Sequence, residues 1–147
     1  MRSKIIHEAN GERTFAVILE TGDEVMASLN AFAIENNLNA ANFRAIGALS
    51  RATLAFFDWD QKEYLPIPVH EQVEVASLIG DIAMGPDGKP AVHAHAVLGK
   101  SSGAAVAGHL QAATVRPTLE IILTESPGHL RKRFDPANGI ALVDPGL

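Results

Sequence analysis

Gly85-Pro-Asp-Gly-Lys-Pro-Ala-Val-His-Ala-His-Ala-Val-Leu-Gly99 is a turn that runs into a strand. Residues 85–90 are glycine, proline, aspartate and lysine, a mixture dominated by the types that preset or tolerate tight-turn dihedrals. Upstream, Gln72 to Met84 alternates over a long stretch, so the turn predicts a β-hairpin with the two runs as its arms. Residues two apart on a strand share a side, which points His93 and His95 one way and Val92, Ala94, Ala96 and Leu98 the other. A third histidine, His109, follows in Gly103-Ala-Ala-Val-Ala-Gly-His-Leu110. Three imidazoles with a fourth position left open are what a catalytic zinc requires, because water or substrate is polarised at that position. Two histidines alone would equally be half-exposed polar residues on a solvent face; the third separates the two readings.

The spacing also raises a geometric objection. A tight hairpin centred near Ala104 sets His109 opposite Gly99, four residues and about 13 Å from His95 at ~3.3 Å per residue. The expectation is therefore an irregular connection, with Gly99, Gly103 and Gly108 supplying the backbone freedom.

At 147 residues the chain is one domain of ordinary size, and with 47% apolar residues it can bury a core without cross-links. Without cysteine it has neither disulfides nor thiolate ligands, so a transition metal would be held by histidine and carboxylate. The N-terminus lacks the apolar run of a signal peptide and no segment approaches a membrane span, which leads to the expectation of a soluble, cytoplasmic protein. A net charge of −5 repels phosphate backbones and disfavours autonomous nucleic-acid binding. Arg131, Lys132 and Arg133 form the one basic cluster, the candidate nucleic-acid contact if there is one; such triplets are more often solvated turns.

Elsewhere the chain reads as strands and a single helix. Thr14 to Glu20 is an apolar β-rich run. From Glu24 to Asn36 the apolar Val25, Leu29, Phe32 and Ala33 recur at three and four, with Asp23 or Thr21 as cap and acids in the first turn, predicting a helix with one face on a sheet. Asn42 to Ile46 and Arg51 to Asp58 read as two strands around a bend at Gly47. Pro66 and Pro68 keep Leu65 to Val69 out of a sheet centre. Thr118 to Thr124 is a further strand, and Phe134 to Leu147 reads as loop with a short apolar piece at Ile140 to Val143. The sum is an α+β fold, mostly antiparallel sheet with one main helix packed on it.

Glu74-Val-Ala-Ser-Leu-Ile-Gly-Asp-Ile, then Gly88-Lys-Pro-Ala-Val-His-Ala-His-Ala-Val-Leu-Gly, then Gly103 to Leu110 and Arg116-Pro-Thr-Leu-Glu-Ile, in that order, resemble the plants and prokaryotes conserved (PPC) domain over nearly the whole chain. The resemblance implies an α+β domain assembled as a homotrimer, with His93, His95 and His109 at a zinc position. Plant members carry the domain behind an AT-hook with an Arg-Gly-Arg-Pro core, and prokaryotic members take a DNA-binding label by that association. This chain has no Arg-Gly-Arg-Pro, so the expectation is a regulatory role through protein partners, with DNA contact weak or indirect.

At fold level the chain is also similar, more distantly, to acetolactate decarboxylase, which implies a competing reading: a metal-dependent lyase acting on a small carbonyl or hydroxy-keto acid bound at the metal. Arg44, Glu74, Arg116 and Glu120 are its candidate catalytic groups, although exposed strand ends and a sheet-edge arginine would account for them equally well. A fold likeness carries no chemistry of its own.

Overall fold

In a computed structural model describing residues 1–147, nine strands and one helix follow in the order β1 (Arg2–Ala9), β2 (Glu12–Glu20), α1 (Val25–Glu35), β3 (Ala40–Asp58), β4 (Glu63–Val69), β5 (Val73–Met84), β6 (Pro90–Gly99), β7 (Ala105–Glu125), β8 (Lys132–Asp135) and β9 (Ile140–Val143). Every pairing between named strands is antiparallel. Strand β3 pairs with β5 and β7, β7 with β6, and β6 with β5, so these four close on themselves, while β1, β2 and β4 extend the sheet outward. The fold is α+β, mostly antiparallel sheet with the single helix packed on it.

Alternation fills the inside. Phe15, Val17 and Leu19 of β2, Ala94, Ala96 and Leu98 of β6, and Leu119, Ile121 and Leu123 of β7 are all buried, and no polar or charged residue is. Helix α1 adds Val25, Leu29, Phe32 and Ala33, with the Phe32 ring edge-on to Phe15 at 5.2 Å. Each such Leu or Phe contributes about 2 kcal/mol in apolar area removed from water. The small Ala94 and Ala96 make room for the helix, which lies against β6 and β7.

The helix cap differs from the expected one. Glu24 is the N-cap: one carboxylate oxygen accepts from the Ala27 N–H at 2.6 Å and the other from the Ala113 N–H at 2.9 Å, which ties the helix start to β7. Asp23 is drawn away, accepting from the Glu20 N–H and pairing with the N-terminal amine, and the first turn holds no acid.

Three other expectations change. The two runs around Gly47 are one strand of 19 residues; the bend survives as a register shift within it. A Cβ at Gly47 would sit 2.3 Å from the Thr118 carbonyl oxygen, so β3 crosses β7 at a distance only glycine allows. The N-terminal strand β1 was not expected. Its turn, Asn10-Gly11, has φ of 52° and 79°, the two left-handed positions of a type I′ hairpin. The tail is not loop either: β8 and β9 form a separate hairpin, its turn held by Asp135 accepting from Ala137 N and Asn138 Nδ2. Pro66 and Pro68 do lie on the edge strand β4. No helix is long and apolar enough to cross a membrane.

The Gly47 crossing can be tested against a glycine needed only for its dihedral. Gly103 has φ +82° and open space where a Cβ would go. Gly47→Ala should cost about 3 kcal/mol in urea unfolding, and Gly103→Ala about 1 kcal/mol. Equal losses would mean that the strand relaxes at Gly47 and that the close crossing constrains nothing.

Candidate metal centre

Register assembles the site. Strand β6 turns His93 and His95 outward and Ala94, Ala96 and Leu98 into the core. Its pairing with β5 sets His93 opposite Asp81 and His95 opposite Ile79, and its pairing with β7 sets His95 opposite His109. Directly opposed residues share a face, so the three histidines and Asp81 do too.

The expected irregular connection is absent. Gly99 pairs with Ala105, which centres the turn on Ser102 rather than Ala104 and brings His109 to His95 in plain register. The turn is closed by Lys100 N–H to Ala104 O at 2.8 Å and Gly103 N–H to Lys100 O at 2.9 Å. Of the three glycines only Gly103 has a positive φ. Gly108 serves a different need: a Cβ there would lie 2.7 Å from the Ala55 carbonyl oxygen of β3.

The imidazole rings stand 5.1 Å (His93 and His95), 5.2 Å (His93 and His109) and 5.5 Å (His95 and His109) apart, with one nitrogen of each within 4.8 Å of the others. Nitrogens around a tetrahedral zinc lie roughly 3.3 Å apart, given Zn–N of about 2.0 Å. Closing the cup takes shifts of about an ångström, a matter of side-chain rotation.

Two details fit a metal. The Asp81 carboxylate lies 3.2 Å from His93 Nδ1, which fixes that ring and leaves Nε2 to face an ion, the carboxylate–histidine arrangement of metal sites. His109 Nδ1 is buried with no hydrogen-bond partner, a lone pair or proton that a folded protein seldom leaves unmatched. The His109 ring itself is held by Tyr64 of β4, stacked at 4.5 Å.

The surroundings of His109 and His95 favour their neutral forms. Burial, then the neighbouring His93 and His95, push His109 down to about 4, and burial followed by His93 lowers His95. For Asp81, burial opposes ionisation, but the His93 hydrogen bond and the charge of Lys132 outweigh it and hold the carboxyl below its ordinary value. Lys132 Nζ lies 3.1 Å from the other Asp81 oxygen, with its side chain only 9% exposed.

That placement breaks up the basic triplet. Lys132 turns inward to Asp81, Arg133 pairs with Asp144 on the outside, and Arg131 is exposed. The three present no common cationic surface. The four candidate catalytic groups are also spread out. Arg44 lies outward on β3 opposite Ile79, which in turn opposes His95, so it is two strands or about 10 Å from the cup. Glu120 shares with Arg44 an apolar cleft lined by Ile18, Ile46, Ile79 and Ile122. Glu74 pairs with Gly99 at the far end of the hairpin, beside Lys100, and Arg116 is exposed seven positions along β7 from His109.

Sequence reasoning missed Asp81 and Tyr64, and named Lys132 only as part of the basic triplet and not beside the histidines. Asp81 was within reach: the turn after Met84 pairs Met84 with Pro90, and counting three residues back along each arm sets Asp81 against His93. Lys132 and Tyr64 arrive from distant strands, and no local pattern marks them.

Solved structures of several similar proteins share this fold. A plant- and prokaryote-conserved (PPC) protein of Pyrococcus horikoshii is 31% identical, with TM-score 0.84 over 90% of this chain and 91% of that one. A metal-containing protein of Archaeoglobus fulgidus is 32% identical, with TM-score 0.81 over 88% of this chain and 91% of that one. A Ralstonia eutropha JMP134 protein bearing the name "Putative DNA-binding protein" is 31% identical, with TM-score 0.82 over 88% and 90%. A Staphylococcus aureus protein of unknown function similar to alpha-acetolactate decarboxylase shares the fold alone, at 12% identity and TM-score 0.54 over 76% of this chain and 51% of that one. No curated protein is significantly similar to the chain. The Plants and Prokaryotes Conserved (PCC) domain model matches residues 6–127, and the chain belongs to that family.

Proposed function

We propose that this is a cytoplasmic, homotrimeric, zinc-binding protein of its family, with a DNA-associated or regulatory role carried through partners rather than by strong direct contact with DNA. The observation that carries the metal reading is the convergence of His93, His95 and His109, with the buried, unpartnered Nδ1 of His109 among them. Neutral imidazoles without thiolate favour zinc among the common ions. The metal-containing relative from Archaeoglobus supports the same reading.

The trimer is supported by the outer sheet face. Ile46 and Ile79 are 63% and 59% exposed there, and with Ile18 and Ile122 they line a continuous apolar cleft. Soluble proteins seldom leave such a patch uncovered, and a second copy of the chain is the simplest cover. The name of the Ralstonia relative supports an association with DNA. A net charge of −5 and a dispersed basic triplet argue against strong direct contact.

A second reading is a lyase-like enzyme acting on a small carbonyl or hydroxy-keto acid. The open position of a three-histidine cup favours it. Of its candidates, Arg44 and Glu120 share one cleft, which borders the histidine face through Ile79.

Protein prepared without a nickel column should carry about one zinc per chain by plasma mass spectrometry. The double change His93→Ala and His95→Ala should abolish it, and metal retained by that variant would refute the site. Because His109 and His95 both titrate below the usual histidine value, protons compete with the ion for them only in acid. Zinc affinity should hold at neutral pH and fall as the pH drops toward 4, the direction set by ligands that must be neutral to bind.

Light scattering should give three times the chain mass, and Ile79→Asp should lower it; a monomeric mass for the unaltered protein would remove the trimer. In fluorescence anisotropy at ~150 mM salt, random duplex should bind no tighter than about 10⁻⁴ M. A sub-micromolar, sequence-dependent complex lost in Arg131→Ala and Arg133→Ala would restore direct DNA binding.

A further inference from the structure

A second cleft, of about 470 Å³, opens beside the histidine cup. One wall is Val92 and His93 of β6, another is His109 with Tyr64 stacked on it, and the third is the C-terminal hairpin, with Leu142 and Val143 of β9 and Lys132 of β8. Lys132 anchors the hairpin start through its ion pair with Asp81, and the Met84 N–H donates to Leu130 O at 2.8 Å just before it. The family model matches residues 6–127, so this wall comes from a segment beyond that match.

The charges around the cleft select a ligand. Three neutral imidazoles leave a divalent ion's charge uncompensated. The one nearby carboxylate, Asp81, is already matched by Lys132, so the pair contributes no net charge. In a half-buried site the missing negative charge must come from the occupant. The rest of the lining decides its body. Beyond Tyr64, His93, His109 and Lys132, every residue of the wall is apolar, which leaves no partners for the hydroxyls of a sugar or the base of a nucleotide.

We propose that this cleft binds a small aliphatic carboxylate, its acid group at the metal and its branched hydrocarbon body against Leu142 and Val143. The proposal rests on the metal reading above and adds to it the ligand class and the role of the C-terminal hairpin as the specificity wall.

The test uses the full chain loaded with Co²⁺, whose visible absorption reports first on metal binding and then on any change in its ligands. Two probes with the same chelating group are titrated in: pyruvate, with a methyl body, and 4-methyl-2-oxopentanoate, with a branched one. Both should perturb the spectrum, and the branched acid should bind about tenfold tighter or more, as expected for a few buried carbons. Leu142→Asn, which adds no charge to repel the acids, should remove that preference while leaving the spectrum of the Co²⁺ protein without acid unchanged. Leu142 and Val143 are 43% and 41% exposed, so Val143→Asn serves as an independent variant with little risk to folding. If no Co²⁺ spectrum develops, the metal reading fails and takes the proposal with it. If the spectrum develops but neither acid alters it, or both acids bind equally, or the variants keep the preference, the metal stands and the ligand proposal is overturned.

Discussion

The shared antiparallel register of β5, β6 and β7 is the constraint on which the rest depends. Side chains alternate with a period of two, so a slip of one residue along β6 would send His93 and His95 into the core and Ala94 and Ala96 out of it. The core forbids this. Leu98, Ala96 and Ala94 pack beneath α1, and exchanging them for imidazoles would bury polar rings where no polar residue is now buried. Hydrophobic burial thus holds His93 and His95 in place from the opposite face of the same strand. The chemistry of the outer face inherits its precision from packing on the inner one.

Much of this was legible. Alternation gave the histidine hairpin, three- and four-residue spacing gave the helix, and both follow from short-range periodicity. What failed was placement between segments. The turn at Lys100–Ala104 was centred two residues too far along, which made a plain hairpin look impossible, because strand pairing doubles any error in the turn centre. The β3 bend was read as a break because glycine in a strand marks either a chain reversal or a close crossing, and only the partner strand distinguishes them. The resemblance identified the family and spacing singled out the three histidines that the fold brings together, while Asp81 needed a register count and Lys132 needed the fold. Basic residues in sequence looked like a patch, yet a strand sends neighbours to opposite sides, and Lys132 was lost to Asp81.

The two clefts divide the outer surface by chemistry. Around Ile46 and Ile79 the surface is apolar and broad, suited to another protein face. Beside His93 and His109 it is narrower and mixes apolar walls with ionisable groups, suited to a small molecule. Ile79 is the hinge between them, paired on one side with Arg44 and on the other with His95. Anything that presses on the apolar face therefore sits one strand away from His95, a direct physical route from that face to the histidine cup.

The pairing of β2 with the last third of β7 joins Thr14 to Thr124 and Glu20 to Thr118. On the ribosome, β2 emerges early with Phe15, Val17 and Leu19 facing a core that does not yet exist, and its partner is synthesised about a hundred residues later. In the interval β1 is the one strand β2 can pair with, and a two-stranded ribbon is marginal in water. Closure of the sheet therefore waits for β7 and is governed by long-range contacts, which fold slowly. Through that delay β2 presents an apolar strand with a free edge, so the chain is most exposed to aggregation before β7 arrives.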